Sequence, residues 1–197
     1  MNPKEFDVVV VGAGPAGIFA ALELSENPDL RIAVLDKGRD IERRHCPIRE
    51  GSHHCEPCAI LNGWGGAGAF SDGKLTLSPS VGGHLAEILG EAPTRKMIRQ
   101  VDQVYCEYGA PETVHGEYND EIEALDKRAS LAGMRFISVP IRHMGTERCV
   151  DIMKGMRETL EARGVAIYTG TAVDHILTDN GTVAGVQTED KRYLDAE

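Results

Sequence analysis

Residues 8–17, VVVVGAGPAG, constrain the fold more than any other stretch of the chain. Four consecutive valines read as a buried strand, because β-branched side chains pack well on a pleated surface and a continuous apolar run suits a strand covered on both faces. Gly12, Gly14 and Gly17 follow in GxGxxG spacing, and Pro15 stands where a helix would begin. Proline suits a first helical position because its missing N–H would lie unpaired there anyway. In a strand-turn-helix of this kind Gly12 permits the tight turn, Gly14 admits a pyrophosphate to the backbone, and Gly17 lets the helix pack on the strand. The ligand implied is an adenine dinucleotide, held along Gly12, Gly14, Pro15, Ala16 and Gly17.

RIAVLD, residues 31–36, reads as the second strand and ends on Asp36. An acidic side chain there can accept hydrogen bonds from adenosine ribose hydroxyls, and its charge repels a 2′-phosphate. FAD and NAD satisfy this logic, whereas NADP fits poorly. Lys37 follows as part of the same candidate site.

The formal net charge of −10 argues against nucleic acid, which requires a basic surface to displace counterions. There is no apolar run of membrane-spanning length and no basic leader before FDVVVVGAG, so the expectation is a cytoplasmic protein that acts on a small molecule and neither binds nor crosses a membrane. Five cysteines in 197 residues do not suggest a disulfide framework.

Residues 37–82 carry little periodicity and many glycines, above all in NGWGGAGAFSDGKL, residues 62–75. Helices are expected from near Pro93 (Met97, Val101, Val104, Tyr108) and up to Gly133 (Ile122, Leu125, Ala129, Ala132). A strand is expected at MRFISV, residues 134–139, and an amphipathic helix over Glu147 to Arg163 with Cys149, Met153, Met156 and Leu160 aligned. VAIYTG, AVDHILTD and TVAGVQT are expected to form a β-meander with its second turn at Asn180-Gly181.

GAGPAG, Asp36, GWGGAGAFSDGKL and RHMGTERC together resemble the NAD(FAD)-utilizing, FAD-dependent dehydrogenases, themselves similar to glutathione-reductase-like flavoproteins. The resemblance implies an α/β fold: a Rossmann-like FAD/NAD(P)-binding domain with a β-meander crossover and an inserted, mostly helical subdomain. The corresponding division is 1–82, 83–140 and 141–197. Relatives of this type continue past the meander, so a fragment is expected. The function implied is an FAD-dependent oxidoreductase passing electrons between an organic substrate and an acceptor; a non-catalytic dinucleotide-binding module and an NAD-binding enzyme are the alternatives.

The resemblance also places the second glycine segment near the cofactor. Gly65, Gly66, Ala67 and Gly68 would let backbone approach it, Ser71 and Asp72 would bond its ribityl hydroxyls, and Lys74 would stand near the electron-rich end of the flavin. A structural loop with Lys74 in solvent is the alternative, and Trp64 is expected to be a packing anchor. The same resemblance turns Arg142 and His143 toward the active site, Arg142 for an anionic substrate and His143 for a proton, while Thr146 suits an N-cap.

HCPIREGSHHCEPC, residues 45–58, holds one further candidate. Cys46, Cys55, Cys58 and His53 would make a tetrahedral zinc site or bind an iron–sulfur cluster; the CxxC pair alone could be a redox disulfide, or the thiols inert.

Overall fold

The computed structural model describes residues 5–46, 51 and 55–196. The chain divides into two units: one comprises residues up to Phe70 and from Met153 onward, the other Ser71–Ile152. In chain order the elements are β1 (Val8–Val11), α1 (Pro15–Leu24), β2 (Ile32–Asp36), β3 (Lys74–Thr76), α2 (Leu85–Leu89), α3 (Glu91–Glu107) and β4 (Val114–His115). They continue through α4 (Asp120–Leu131), β5 (Ile141–His143), α5 (Thr146–Ala162), β6 (Ala166–Thr169), β7 (Val173–Asp179), β8 (Thr182–Thr188) and β9 (Tyr193–Asp195).

In the first unit, β1, β2 and β6 form a parallel sheet in which β2 is central. Val8 pairs with Ile32 and Ala33 with Ala166. All of Ile32 to Leu35 is buried, as a central strand covered on both faces must be. Helix α1 joins β1 to β2 and buries Ile18 and Ala21, with Ser25 beyond its end, a three-to-four-residue stripe. Ala16 and Ala20, part of an expected small-residue face, are exposed instead.

VAIYTG does not join the meander. It becomes β6 and runs parallel to β2, because the helix before it acts as a crossover and returns the chain in the same direction. The meander is β7-β8-β9, with Tyr193–Asp195 as its third strand. Its β7-β8 turn is Asn180-Gly181, both residues at positive φ (50° and 84°), the backbone a two-residue hairpin demands. Phe6, Ala33, Leu35, Val186 and Leu194 make one buried cluster, which fastens the meander to the parallel sheet.

The second unit combines helices with short strands. It contains α2, α3, α4 and an antiparallel sheet in the order β3-β5-β4. These strands are two or three residues long, too short for alternation to register in sequence. MRFISV is not a strand; Met134 and Ile137 are each 61% exposed, and pairing begins after Pro140, at Ile141. Arg142 and His143 therefore lie on a strand rather than in a loop.

Helix α5 begins in the second unit and ends in the first. It buries Cys149, Ile152, Met153, Met156 and Leu160, the apolar face visible in its sequence. The Val165 N–H reaches back to the Leu160 carbonyl past Gly164 at φ +83°, a left-handed close that glycine permits. Among the described residues no helix is long and apolar enough to cross a membrane.

Trp64 is fully buried, and its indole N–H donates to the Met153 carbonyl at 2.7 Å. Replacing Trp64 with Phe removes that hydrogen bond and part of a fully buried ring, so denaturant unfolding should show a loss of about 1–3 kcal/mol. At the N-terminal ends of β1 and β2, Arg31 binds Asp7 through hydrogen bonds to its carboxylate and lowers its pKa to about 2. A depressed folded-state pKa stabilises the fold above the unfolded value of 3.8, and that contribution disappears as pH falls through about 2. A carboxyl titration followed by NMR should place Asp7 near 2 in the native chain, and Arg31→Met should return it toward 3.8.

Candidate dinucleotide site

The turn after β1 is built as the glycine spacing requires. Gly12 has φ +105°, and its N–H donates to the Leu35 carbonyl at 2.7 Å. A Cβ on Gly17 would stand 1.9 Å from the Gly12 carbonyl oxygen, so only glycine allows the helix this close to the turn. A Cβ on Gly14 would meet nothing within 4 Å. Gly14 thus borders open space in front of the α1 N-terminus, where no side chain caps the helix and no acidic residue occupies the first turn. Free N–H groups and the helix dipole together favour an anion at this point. Pro15 and Ala16 are exposed there.

Asp36 is tied to this loop. Its Oδ2 accepts the Ala13 N–H at 2.8 Å and its Oδ1 accepts the Gly38 N–H at 2.7 Å. A carboxylate has about four acceptor positions, so both oxygens keep capacity for a diol. Its main-chain carbonyl receives the Thr171 N–H, and Gly170 N–H reaches the Gly38 carbonyl. Next to these turns lies a cavity of about 510 Å3 bordered by Lys37, Glu56, Pro57, Gly170, Thr171 and Ala172.

The second glycine segment lies directly on the first. Gly65 N–H donates to the Ala13 carbonyl at 2.8 Å. At Gly66, φ is +60° and a Cβ would come 3.1 Å from Gly14 Cα and 3.3 Å from Pro15 Cδ. A methyl group at Gly66 would therefore press on the dinucleotide loop itself. Ala67 and Gly68 open a 3-10 turn, Ala67–Phe70. Trp64 anchors the segment from within the core, and the Arg157 guanidinium covers its ring at 5.4 Å.

Arg44 holds the segment from the other side, a role with no signature in ERRHCP. Its side chain is buried and donates to the carbonyls of Ala59 (2.8 Å), Trp64 (2.5 Å), Ile60 (2.6 Å) and Gly66 (2.8 Å). The Phe70 ring lies 4.6 Å from the guanidinium carbon. Burial pulls its pKa down, and Asp36 opposes that shift.

In the second unit, several expected residues do converge. Lys74 pairs with Asp72 at 2.7 Å and faces His143 across the β3-β5 ladder. His143 Nε2 lies 3.0 Å from the Asp72 carbonyl, and since a carbonyl only accepts, Nε2 carries the hydrogen and Nδ1 is the basic nitrogen. Lys74, followed by His143, lowers the Asp72 pKa. Thr146 is not an N-cap: it lies within α5, and its hydroxyl donates to the Ser71 carbonyl. Ser71 Oγ in turn accepts the Gly73 N–H at 3.2 Å.

Arg142 does not belong to that cluster. Only 5% exposed, it grips both oxygens of Asp102 at 2.6 and 2.8 Å and donates to the Pro111 carbonyl. Its charge is committed to joining β5 to α3.

No metal set assembles among the described residues, where no group of three or more His, Cys, Asp and Glu comes together. Cys46, Cys55 and Cys58 are free thiols, and His53 lies outside the described residues.

Residues 1–41 match the Thi4 family. Over 197 residues the chain is 27% identical to the mitochondrial electron transfer flavoprotein-ubiquinone oxidoreductase of Dictyostelium discoideum, covering 96% of this chain and 25% of that protein. It is 26% identical over 187 residues to an uncharacterized protein of Clostridium beijerinckii, covering 93% and 28%. The chain thus spans about a quarter of the length of these curated relatives. Among solved structures it is similar to the 3-ketosteroid-delta4-(5alpha)-dehydrogenase of Rhodococcus jostii RHA1, with TM-score 0.59, 18% identity and coverage of 99% of this chain and 44% of that one. The fold is a mixed α/β, Rossmann-like FAD/NAD(P)-binding architecture.

Asp36→Ala removes the side-chain acceptors of two backbone N–H groups, those of Ala13 and Gly38, and with them the acidic group expected to meet a ribose. Loss of a partner costs about 1–3 kcal/mol where the group left behind is buried, so stability and ADP-ribose affinity should both fall. Asp36→Asn retains one carbonyl acceptor and should recover part of the stability without the affinity. Chemical denaturation and calorimetric titration on the three proteins separate the effects, and equal affinity in all three would exclude Asp36 from the ligand.

Proposed function

We propose that the chain is the dinucleotide-binding part of an FAD-dependent oxidoreductase that exchanges electrons with a small organic substrate. The observation that carries this reading is the double glycine cradle, in which Gly65 and Gly66 lie on Ala13 and Gly14 beside the uncapped end of α1. A single dinucleotide turn needs no second glycine segment pressed against it. Two segments make a wider backbone surface, suited to a long cofactor. The similarity to an electron transfer flavoprotein-ubiquinone oxidoreductase and the fold shared with a dehydrogenase support the same class.

The donor set fits FAD. The pyrophosphate would take the N–H groups at the α1 N-terminus, next to the open space in front of Gly14, and the adenosine ribose would take the remaining lone pairs of Asp36. Lys37 and Thr171 border the adjoining cavity, which the adenosine end would use. When bound, FAD supplies two-electron redox chemistry. Lys74 would bind and orient a polar or anionic group of the substrate. His143 would accept or return a proton at Nδ1, with Nε2–H held by the Asp72 carbonyl. Ser71 and Asp72 keep this cluster in register through their bonds to Thr146 and Lys74.

Denaturing the purified protein and identifying what it releases tests the assignment. FAD, near one per chain and bleached by dithionite before denaturation, is the expected result. Release of NAD would assign a nicotinamide enzyme, and a colourless protein that binds ADP-ribose would reduce the chain to a binding module.

A further inference from the structure

Between β3 and α2 the chain leaves a cavity of about 300 Å3 that its own side chains do not fill. The wall is mostly apolar: Pro79, Val81 and Leu85 come from the connection and the start of α2, and Ile98 comes from α3. Gly82 and Gly83 complete it at positive φ (92° and 129°), and a Cβ on either would meet nothing within 4 Å. Thr94 also borders the cavity, but its hydroxyl is already donated to the Gly90 carbonyl at 2.8 Å. Val81 and Leu85 stay 45% and 44% exposed, apolar surface that an apolar ligand would remove from water.

A smaller recess of about 90 Å3, bordered by Leu77, Arg95, Arg99 and Asp102, adjoins this cavity. Ile98 borders both, and Leu77 stands in sequence between Thr76 and Ser78 of the cavity wall. Asp102 brings no free charge to the recess, because Arg142 holds both of its oxygens. Arg95 pairs with Glu91 in an exposed contact one turn away, which water makes weak. Arg99 is exposed and makes no hydrogen bond or ion pair with any described residue. In a chain of net charge −10, two guanidiniums at one end of an apolar cavity are a local exception. Their complement is an anion with an apolar body, and a recess with the volume of about three waters admits a carboxylate.

We propose that the cavity and recess together bind a small carboxylic acid, with its apolar chain or ring between Val81, Leu85 and Ile98 and its carboxylate on Arg99 and Arg95. The cavity volume is at the lower end of the range for ligand pockets, about 300–1,000 Å3, which suits a small molecule. Arg95 and Arg99 stand one turn apart on α3 and border the same recess, so both can reach one carboxylate. The site is independent of the proposed FAD: all of its residues belong to the second unit, and binding requires no electron transfer.

The test titrates the purified full chain with octanoate, followed by amide NMR and calorimetry, with octanamide as a neutral control of the same length. The expected result is a saturable site with shifts at Gly82, Gly83, Ile98 and Arg99. Octanamide should bind at least about tenfold more weakly, because it lacks the charge-assisted bonds. Arg99→Gln, at an exposed position, should bring octanoate down toward octanamide, and Val81→Asp should weaken both ligands. Equal affinity for octanoate and octanamide, no saturation at millimolar octanoate, or shifts confined to other residues would overturn the proposal. So would a loss of octanoate binding in Lys74→Gln with none in Arg99→Gln, which would move the carboxylate to the Lys74–His143 cluster. Capture by phosphatidylglycerol vesicles with no saturable octanoate site would assign the face to a membrane instead.

Discussion

The architecture of the site depends on one buried cation. Removing a guanidinium from water costs several kcal/mol, and Arg44 offsets this by donating to four main-chain carbonyls, charge-assisted bonds worth about 1.5–3 kcal/mol each. Leaving any one of these donors without its carbonyl would cost the desolvation of a charged group, so the four contacts support one another. A single side chain thereby makes residues 59–66 fold as a unit. Trp64 serves the same end from within the core, with its indole N–H on Met153 and its ring beneath Arg157.

The glycine density of this segment follows from that requirement. Two backbones, Ala13–Gly14 and Gly65–Gly66, approach within hydrogen-bonding distance, and a side chain at Gly66 would lie in the contact. Gly63 and Gly38 are constrained in the same way, since a Cβ on either would come within 2.2 Å of the other turn's backbone. Some of these glycines therefore serve the packing of loop on loop, while Gly14 faces open space in front of the α1 N-terminus. Asp36 joins the two purposes, with one carboxylate holding the turns through Ala13 and Gly38 and keeping acceptor capacity for a diol.

Charge in this protein is divided between structural and chemical uses, and burial draws the line. Arg142 and Asp102 look in sequence like any exposed pair, but Arg142 is buried, Asp102 is half-buried, and their bidentate contact is spent on joining a helix to a strand. Lys74, Asp72 and His143 are exposed and keep unspent donors and acceptors. The basic residue that sequence most readily linked to a substrate anion is thus the one whose charge is already neutralised.

What the sequence determined by itself was local. The β1-α1 turn, the acidic end of β2, the apolar face of α5 and the Asn180-Gly181 hairpin were all legible, because each is set by the steric freedom or periodicity of a few neighbouring residues. Tertiary structure alone decided the rest. β6 left the meander for β2 because α5 carries the chain back parallel, and pairing partners are not encoded in a strand's own alternation. β3, β4 and β5 are too short to have any period, and the carbonyl acceptors that fix Arg44 have no residue identity to read. Whether a charge is structural or chemical depends on which backbone amides, carboxylates and carbonyls surround it, and those neighbours are gathered from distant parts of the chain only when it folds.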